Sequence, residues 1–165
     1  MTENRIKIRL LPEPEDWHDY VGERVWTEVL WGGTRKIFRI LNSPFFTRGI
    51  SRLDIVDVVP APDGSGLDYA RTIQKSGHSN IWLQVPSPLP KAFKYYWSAL
   101  QELGCRYEGL KMDTEDGKKI LYAVDVPADA DIDHVLSILK RGQDKDVWIF
   151  QIGHLAHSVS NGAGN

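Results

Sequence analysis

Cysteine is nearly missing from this sequence: Cys105 stands alone among 165 residues. The chain therefore forms no internal disulfide and no thiolate metal cluster. A charged start leading into an apolar run is also lacking, which argues against a secretory signal. No stretch approaches the roughly 20 apolar residues of a membrane-spanning helix. The expectation is a cytoplasmic protein without membrane association. An excess of one charge is lacking as well, since 20 Lys and Arg stand against 22 Asp and Glu for a net charge of −2. Nucleic-acid binding draws on a basic face or stripe. The densest basic run here, Thr34-Arg35-Lys36-Ile37-Phe38-Arg39, alternates like the wet side of a strand. Nucleic acid is not expected as a partner. Neither a His-Glu-x-x-His metal motif nor a Gly-x-Ser-x-Gly nucleophile elbow occurs, and no internal repeat is visible.

What is present is an ordinary globular composition, 42% hydrophobic and 25% charged, which excludes a disordered or fibrous chain. A chain of this length buries roughly 70% of its unfolded surface and suits one domain or two tightly packed halves.

The first half, residues 1–76, reads as β. Ile6, Ile8 and Leu10 alternate with Lys7 and Arg9. Pro12 and Pro14 end that strand, and a helical turn could form around Trp17. Val25–Leu30 and Lys36–Leu41 flank Gly32-Gly33, a strong hairpin signal. Leu53–Val59 and Leu67–Gln74 supply two more strands around a Pro- and Gly-rich loop. Short strands with tight turns predict a small SH3-like barrel.

The second half, residues 77–157, changes period. Ile81–Val85 is a strand. Phe93, Trp97, Leu100 and Leu103 then fall at helical spacing, with Gly104 placed as a C-cap glycine. Cys105–Leu110, a polar turn over Asp113–Lys118, and Ile120–Val126 follow. Asp129 or Asp131 caps a second helix with inner face Ile132, Val135, Leu136 and Leu139, ended by Gly142 before a strand over Val147–Ile152. The order β-α-β-β-α-β predicts a ferredoxin-like unit. The fold class expected is α+β, a barrel-like half packed on a ferredoxin-like half, with a flexible tail over residues 158–165.

Several landmarks run in a suggestive order: Phe45-Phe46-Thr47-Arg48-Gly49-Ile50-Ser51 before Asp54-Ile55-Val56, then Ser76-Gly77-His78-Ser79, then Val124-Asp125-Val126-Pro127, and last Trp148 with Gly153-His154. In that order they resemble a bacterial family, the domain of unknown function 4265, from about Ile6 to His157. The resemblance implies a bacterial source and one co-folding unit. It transfers no reaction and no catalytic residues.

Each candidate site competes with a plainer reading. His154 and His157 lie three residues apart and could share a metal with His78 or His18 as a third ligand. Surface or capping histidines are the commoner outcome, so no metal and no cofactor are expected. Ser76, His78 and Ser79 join the two halves, where clefts tend to form. A nucleophile and its base seldom adjoin in sequence, and a turn bonded to the main chain is the simpler reading. Adjacent Phe45 and Phe46 cannot both point inward from an extended segment. Either they plug the barrel and the interface, or Phe46 meets a partner with Arg48 beside it as an anion contact. Asp54/Asp57 and Asp129/Asp131/Asp133 make no convincing acid-base pair, and Cys105 reads as a buried thiol. Asp63, Asp68, Asp113, Glu115 and Asp116 belong to acidic loops that would suit a basic partner. Trp82, Tyr122 and Trp148 form either an aromatic platform on the sheet or core beneath the helices.

Without a catalytic set, the expectation is a non-enzymatic protein that binds another protein. Its sharpest form is an immunity protein neutralising a basic toxin domain. A regulatory domain binding a ligand or RNA on its ferredoxin-like sheet is the alternative.

Overall fold

The computed structural model describes residues 4–11 and 22–160. The turn expected at Trp17, the prolines at 12 and 14, His18 and the end of the tail lie outside them. Those residues form a mostly-sheet α+β structure with a five-stranded barrel, a four-stranded sheet and two helices.

Alternation makes the barrel. Strands β1 (Arg5–Leu10), β2 (Glu23–Gly32), β3 (Arg35–Ile40), β4 (Ile55–Pro60) and β5 (Leu67–Gln74) run antiparallel in sequence order. A parallel pairing of Arg9 with Asp68 closes β1 onto β5. Ile8, Leu10, Val25, Phe38, Ile40, Ile50 and Val56 fill the interior. Gly33, at φ 74°, turns β2 into β3 as the two glycines predict. One boundary differs from expectation: β4 starts at Ile55, not Leu53. Leu53 is bent into the left-handed region at φ 69°, and its amide reaches Ile40 O at 2.8 Å.

The second half follows the predicted order: β6 (Ser79–Pro86), α1 (Phe93–Glu102), β7 (Arg106–Thr114), β8 (Gly117–Val126), α2 (Ile132–Asp144) and β9 (Ile149–His154). The sheet order is β7-β8-β6-β9, antiparallel throughout. Both helices pack one face of the sheet through Phe93, Trp97, Leu100, Val135, Ile138 and Leu139. Asp131 caps α2 by accepting from His134 N at 3.2 Å, and Gly104 follows the end of α1 at φ 91°.

Three expectations shift here. Gly142 lies inside α2 and does not end it; it is there because the indole of Trp148 presses on the helix. The polar stretch from Asp113 is mostly strand, because Asp113 pairs with Lys118 across the hairpin and only Glu115 and Asp116 make the turn. The last strand begins at Ile149 and runs to His154, so no helical turn carries His154 to His157.

The other face of the sheet meets the barrel. Phe46 packs on Trp82, Leu121 and Ala123, with Phe45 and Met112 at the margin. Pleating explains the split: Leu83 pairs with Tyr122 and Trp82 with Ala123, so the members of each pair share a face.

Candidate functional site

The segment between β3 and β4 crosses the junction, and backbone groups fix it there. The Glu23 carboxylate accepts the amides of Phe45, Phe46 and Thr47, each at 2.9 Å. The Pro44 carbonyl accepts Asn80 Nδ2 at 2.7 Å and Trp82 Nε1 at 2.8 Å, both buried. Further along, Gly49 N donates to Gly153 O at 3.1 Å and Arg48 Nη1 to Ile152 O at 2.9 Å. The Arg48 guanidinium sits 5.3 Å over the Trp82 ring. Phe46 is therefore a plug between the halves, and Arg48 is engaged within the fold.

Behind this segment lies a polar cluster. Buried Asp54 accepts Ser76 N at 2.8 Å and Ser51 N at 3.1 Å, with Lys75 Nζ at 3.5 Å. Ser76 Oγ donates to Arg52 O at 2.8 Å and accepts His78 N at 3.1 Å. His78 Nδ1 lies 2.8 Å from Asp125 Oδ1, and Arg52 Nη1 lies 3.6 Å from Asp125 Oδ2. An N–H at Nδ1 donates to this carboxylate in either form of the ring that carries one. Asp125 thus receives the compensation a buried charge requires.

Ser79 and His157 form a second set. Ser79 Oγ is 2.6 Å from His157 Nδ1 and accepts Ala156 N at 2.9 Å. His157 Nε2 lies 2.8 Å from the Pro127 carbonyl, which can only accept, so Nε2 carries the proton. In the neutral ring Nδ1 then accepts from the Ser79 hydroxyl. This resembles a serine–histidine pair with a carbonyl as orienting group. Ser79 is fully buried, however, so no substrate carbonyl can approach it. The pair ties the chain after β9 to the start of β6. His154, at the end of β9, is half-buried; burial, and then Lys75, holds its ring below the usual histidine range against the pull of Asp54. Among the described residues no three His, Cys, Asp or Glu side chains come together as metal ligands. Cys105 is buried, and burial followed by Asp125 pushes its thiol up to about 12.

The acidic candidates divide. Both Asp68 oxygens are held by Arg9, at 2.7 and 2.9 Å, and this hydrogen bonding keeps the buried carboxyl below its usual range. Asp63 accepts Ser65 N at 2.9 Å and lies 3.5 Å from Arg9. Asp113, Glu115 and Asp116 are exposed at the β7–β8 tip, and no ion pair engages them among the described residues. The three sheet aromatics separate as well. Trp82 faces the barrel, while Tyr122 and Trp148 lie in the helix-side core.

Two adjoining clefts share Leu41 and Arg52, the smaller opening at the junction and the larger on the barrel beside it. One, of about 600 Å³, is lined by Arg5, Trp26 and Asn42; the other, of about 270 Å³, by Ser43, Arg106, Glu108 and Asp125. Glu108 is occupied, accepting Asn42 Nδ2 at 2.7 Å and Ser43 N at 3.0 Å. Sequence reasoning passed over Glu23, Arg52, Glu108 and Asp125. Only Asp125 gave a signal, a carboxylate inside the apolar run Tyr122–Val126.

The family model of a domain of unknown function, DUF4265, matches residues 23–150. A crystal structure of a hypothetical protein from Neisseria gonorrhoeae is similar at 19% identity with a TM-score of 0.69, covering 93% of this chain and 98% of the other. That likeness is one of fold. No curated protein matches the chain.

Proposed function

The chain belongs to the DUF4265 family, and we propose that it is a non-enzymatic binding protein whose partner is another protein. One observation carries the reading: the serine, histidine and cysteine groups at the junction and in the core are already engaged or buried by the fold. Ser79 is sealed in with His157, His78 is set against Asp125, and Cys105 is a buried thiol. A nucleophile needs access as well as a base. We read the architecture as a small SH3-like barrel on a ferredoxin-like half, a frame suited to presenting loops rather than enclosing a reaction.

Within this reading the hairpin tip of Asp113, Glu115 and Asp116 is the partner-facing element. Its charges are in no ion pair among the described residues, and two registered strands hold out the turn that carries Glu115 and Asp116. Such a tip speeds encounter with a basic surface and selects for it. The sharper form is an immunity protein for a basic toxin domain in the cytoplasm.

Affinity capture from the native cell with the wild-type chain and with the Asp113→Asn, Glu115→Gln, Asp116→Asn variant tests it. A basic protein retained by the wild type and lost from an equally stable variant is expected. A partner set identical for both chains would sink the role of the hairpin. Failure of co-expression to relieve toxicity of the captured protein would sink the immunity form. The sheet-platform alternative is weakened, because Trp82 lies across the sheet from Tyr122 and Trp148.

A further inference from the structure

We infer that the paired clefts around Arg52 bind a small organic phosphate of mononucleotide size, at a site separate from the acidic hairpin. Charge is the first argument. Arg5, Arg52 and Arg106 line the clefts. Of the two carboxylates in the walls, Asp125 is paired with Arg52 and bonded to His78. Glu108 is turned to the neutral donors Asn42 Nδ2 and Ser43 N, which leaves the guanidinium groups of Arg5 and Arg106 against one carboxylate. Among the described residues Arg5 and Arg106 have no ion-pair partner, so their guanidinium forks remain to be used. A fork of this kind matches phosphate oxygens two at a time.

Shape is the second. The clefts, about 600 and 270 Å³, fall within or near the range of small-molecule sites; the smaller lies where the two halves meet, and the larger adjoins it on the barrel side. Trp26 stands in the wall beside Arg5, 45% exposed, and Lys7 Nζ lies 4.9 Å from its ring centroid. An exposed indole next to cations is a platform for a planar ring that bears an anion.

Local strain is the third. Arg52, common to both clefts, directly precedes Leu53, a non-glycine residue at φ 69°. The surroundings over-determine this conformation. Leu53 N is bonded to Ile40 O, Arg52 O receives Ser76 Oγ, Arg52 Nε donates to Leu41 O at 3.2 Å, and Asp54 clamps both sides. Backbone strain held in this way clusters at ligand clamps. Here it presents the one arginine that both clefts share.

Isothermal titration of the full chain with AMP, GMP, CMP and UMP tests the inference, alongside adenosine, ribose 5-phosphate and inorganic phosphate. Saturable binding of at least one mononucleotide is expected, with its nucleoside undetectable and ribose 5-phosphate about tenfold weaker for want of stacking. Arg5→Gln and Arg106→Gln replace exposed side chains and should each weaken binding about tenfold, and Trp26→Leu several-fold. Lys140→Gln, on the exposed side of α2, and the neutralised hairpin should leave it unchanged. Loss of mononucleotide binding in the hairpin variant would assign the ligand to the other site. The inference is overturned if no mononucleotide binds, if inorganic phosphate binds equally well, or if affinity survives the Arg5→Gln, Arg106→Gln double variant.

Discussion

The indole of Trp148 occupies the space where a β-carbon of residue 142 would stand: a Cβ built on Gly142 falls 2.5 Å from its ring carbons. The same ring donates from Nε1 to Leu139 O at 2.9 Å, so helix α2 and the entry to β9 are locked together. Gly142→Ala should therefore act as an overpacking substitution even though alanine favours helix. A loss of about 1–3 kcal/mol is expected, read as a lower urea midpoint with the slope unchanged. A neutral or stabilised variant would mean that the indole can move aside.

Glu23 anchors the junction from 22 residues away. Glu23→Ala removes the acceptor of three amides, and hydrogen bonds to a charged group contribute about 1.5–3 kcal/mol each when isolated. Because water can reach part of this segment, a total loss of about 2–4 kcal/mol is the expected order. Hydrogen exchange should speed up at Phe45, Phe46 and Thr47 before it does in the barrel strands. Uniform acceleration across the whole chain would contradict a local anchor.

Ser79 should behave as a structural hydroxyl. Ser79→Ala strands Ala156 N–H and His157 Nδ1 in a poorly solvated place, at a cost of about 1–3 kcal/mol. A fluorophosphonate probe should leave the folded wild type unlabelled. Labelling at Ser79 would reopen the case for hydrolysis and remove the main support for the binding reading.

Acid should act in two stages. The folded state holds His154 below its ordinary 6.5, so the unfolded chain binds the proton first and stability falls as pH drops below that value. His154→Gln should flatten this stage in urea melts taken between pH 7.5 and 5.5. Asp68 is lowered from an ordinary 3.8 chiefly by its hydrogen bonds from Arg9. Its contribution is present above that value and is lost only as pH falls through the lower folded one. Asp68→Asn should therefore reduce stability at pH 7 while leaving the histidine stage in place.

Much of this fold was legible because local chemistry and global packing agree. Ile8 and Leu10 point inward as their alternation predicts, and Phe93, Trp97 and Leu100 bury as their spacing predicts. Legibility failed where distant groups decide. Asp113–Lys118 reads as a turn because its residues are polar, yet Asp113 faces Lys118 across a registered hairpin. Trp82 and Tyr122 lie on adjacent strands, and only the register sends one to the barrel and the other to the helices. The junction was visible as Ser76–Ser79, but its partners Arg52 and Asp125 come from a loop and a strand that only folding brings together. The clefts left no trace in the sequence, since arginines on separate elements share no spacing.

The segment that seals the sheet also imposes an order of events during synthesis. Arg48 and Gly49 find their acceptors on Ile152 and Gly153, more than a hundred residues later. While the ribosome is still making β9, the barrel can close around Ile8 and Val56 and Glu23 can hold the amides of Phe45, Phe46 and Thr47, but Arg48 and Gly49 still lack their acceptors. Until then the β6 edge is unpaired and the greasy Trp82 ring lacks the cover of Gly153. A chain stalled or clipped before Gly153 would carry that adhesive surface into the cell, making its last strand the step that renders the nascent protein safe from clumping.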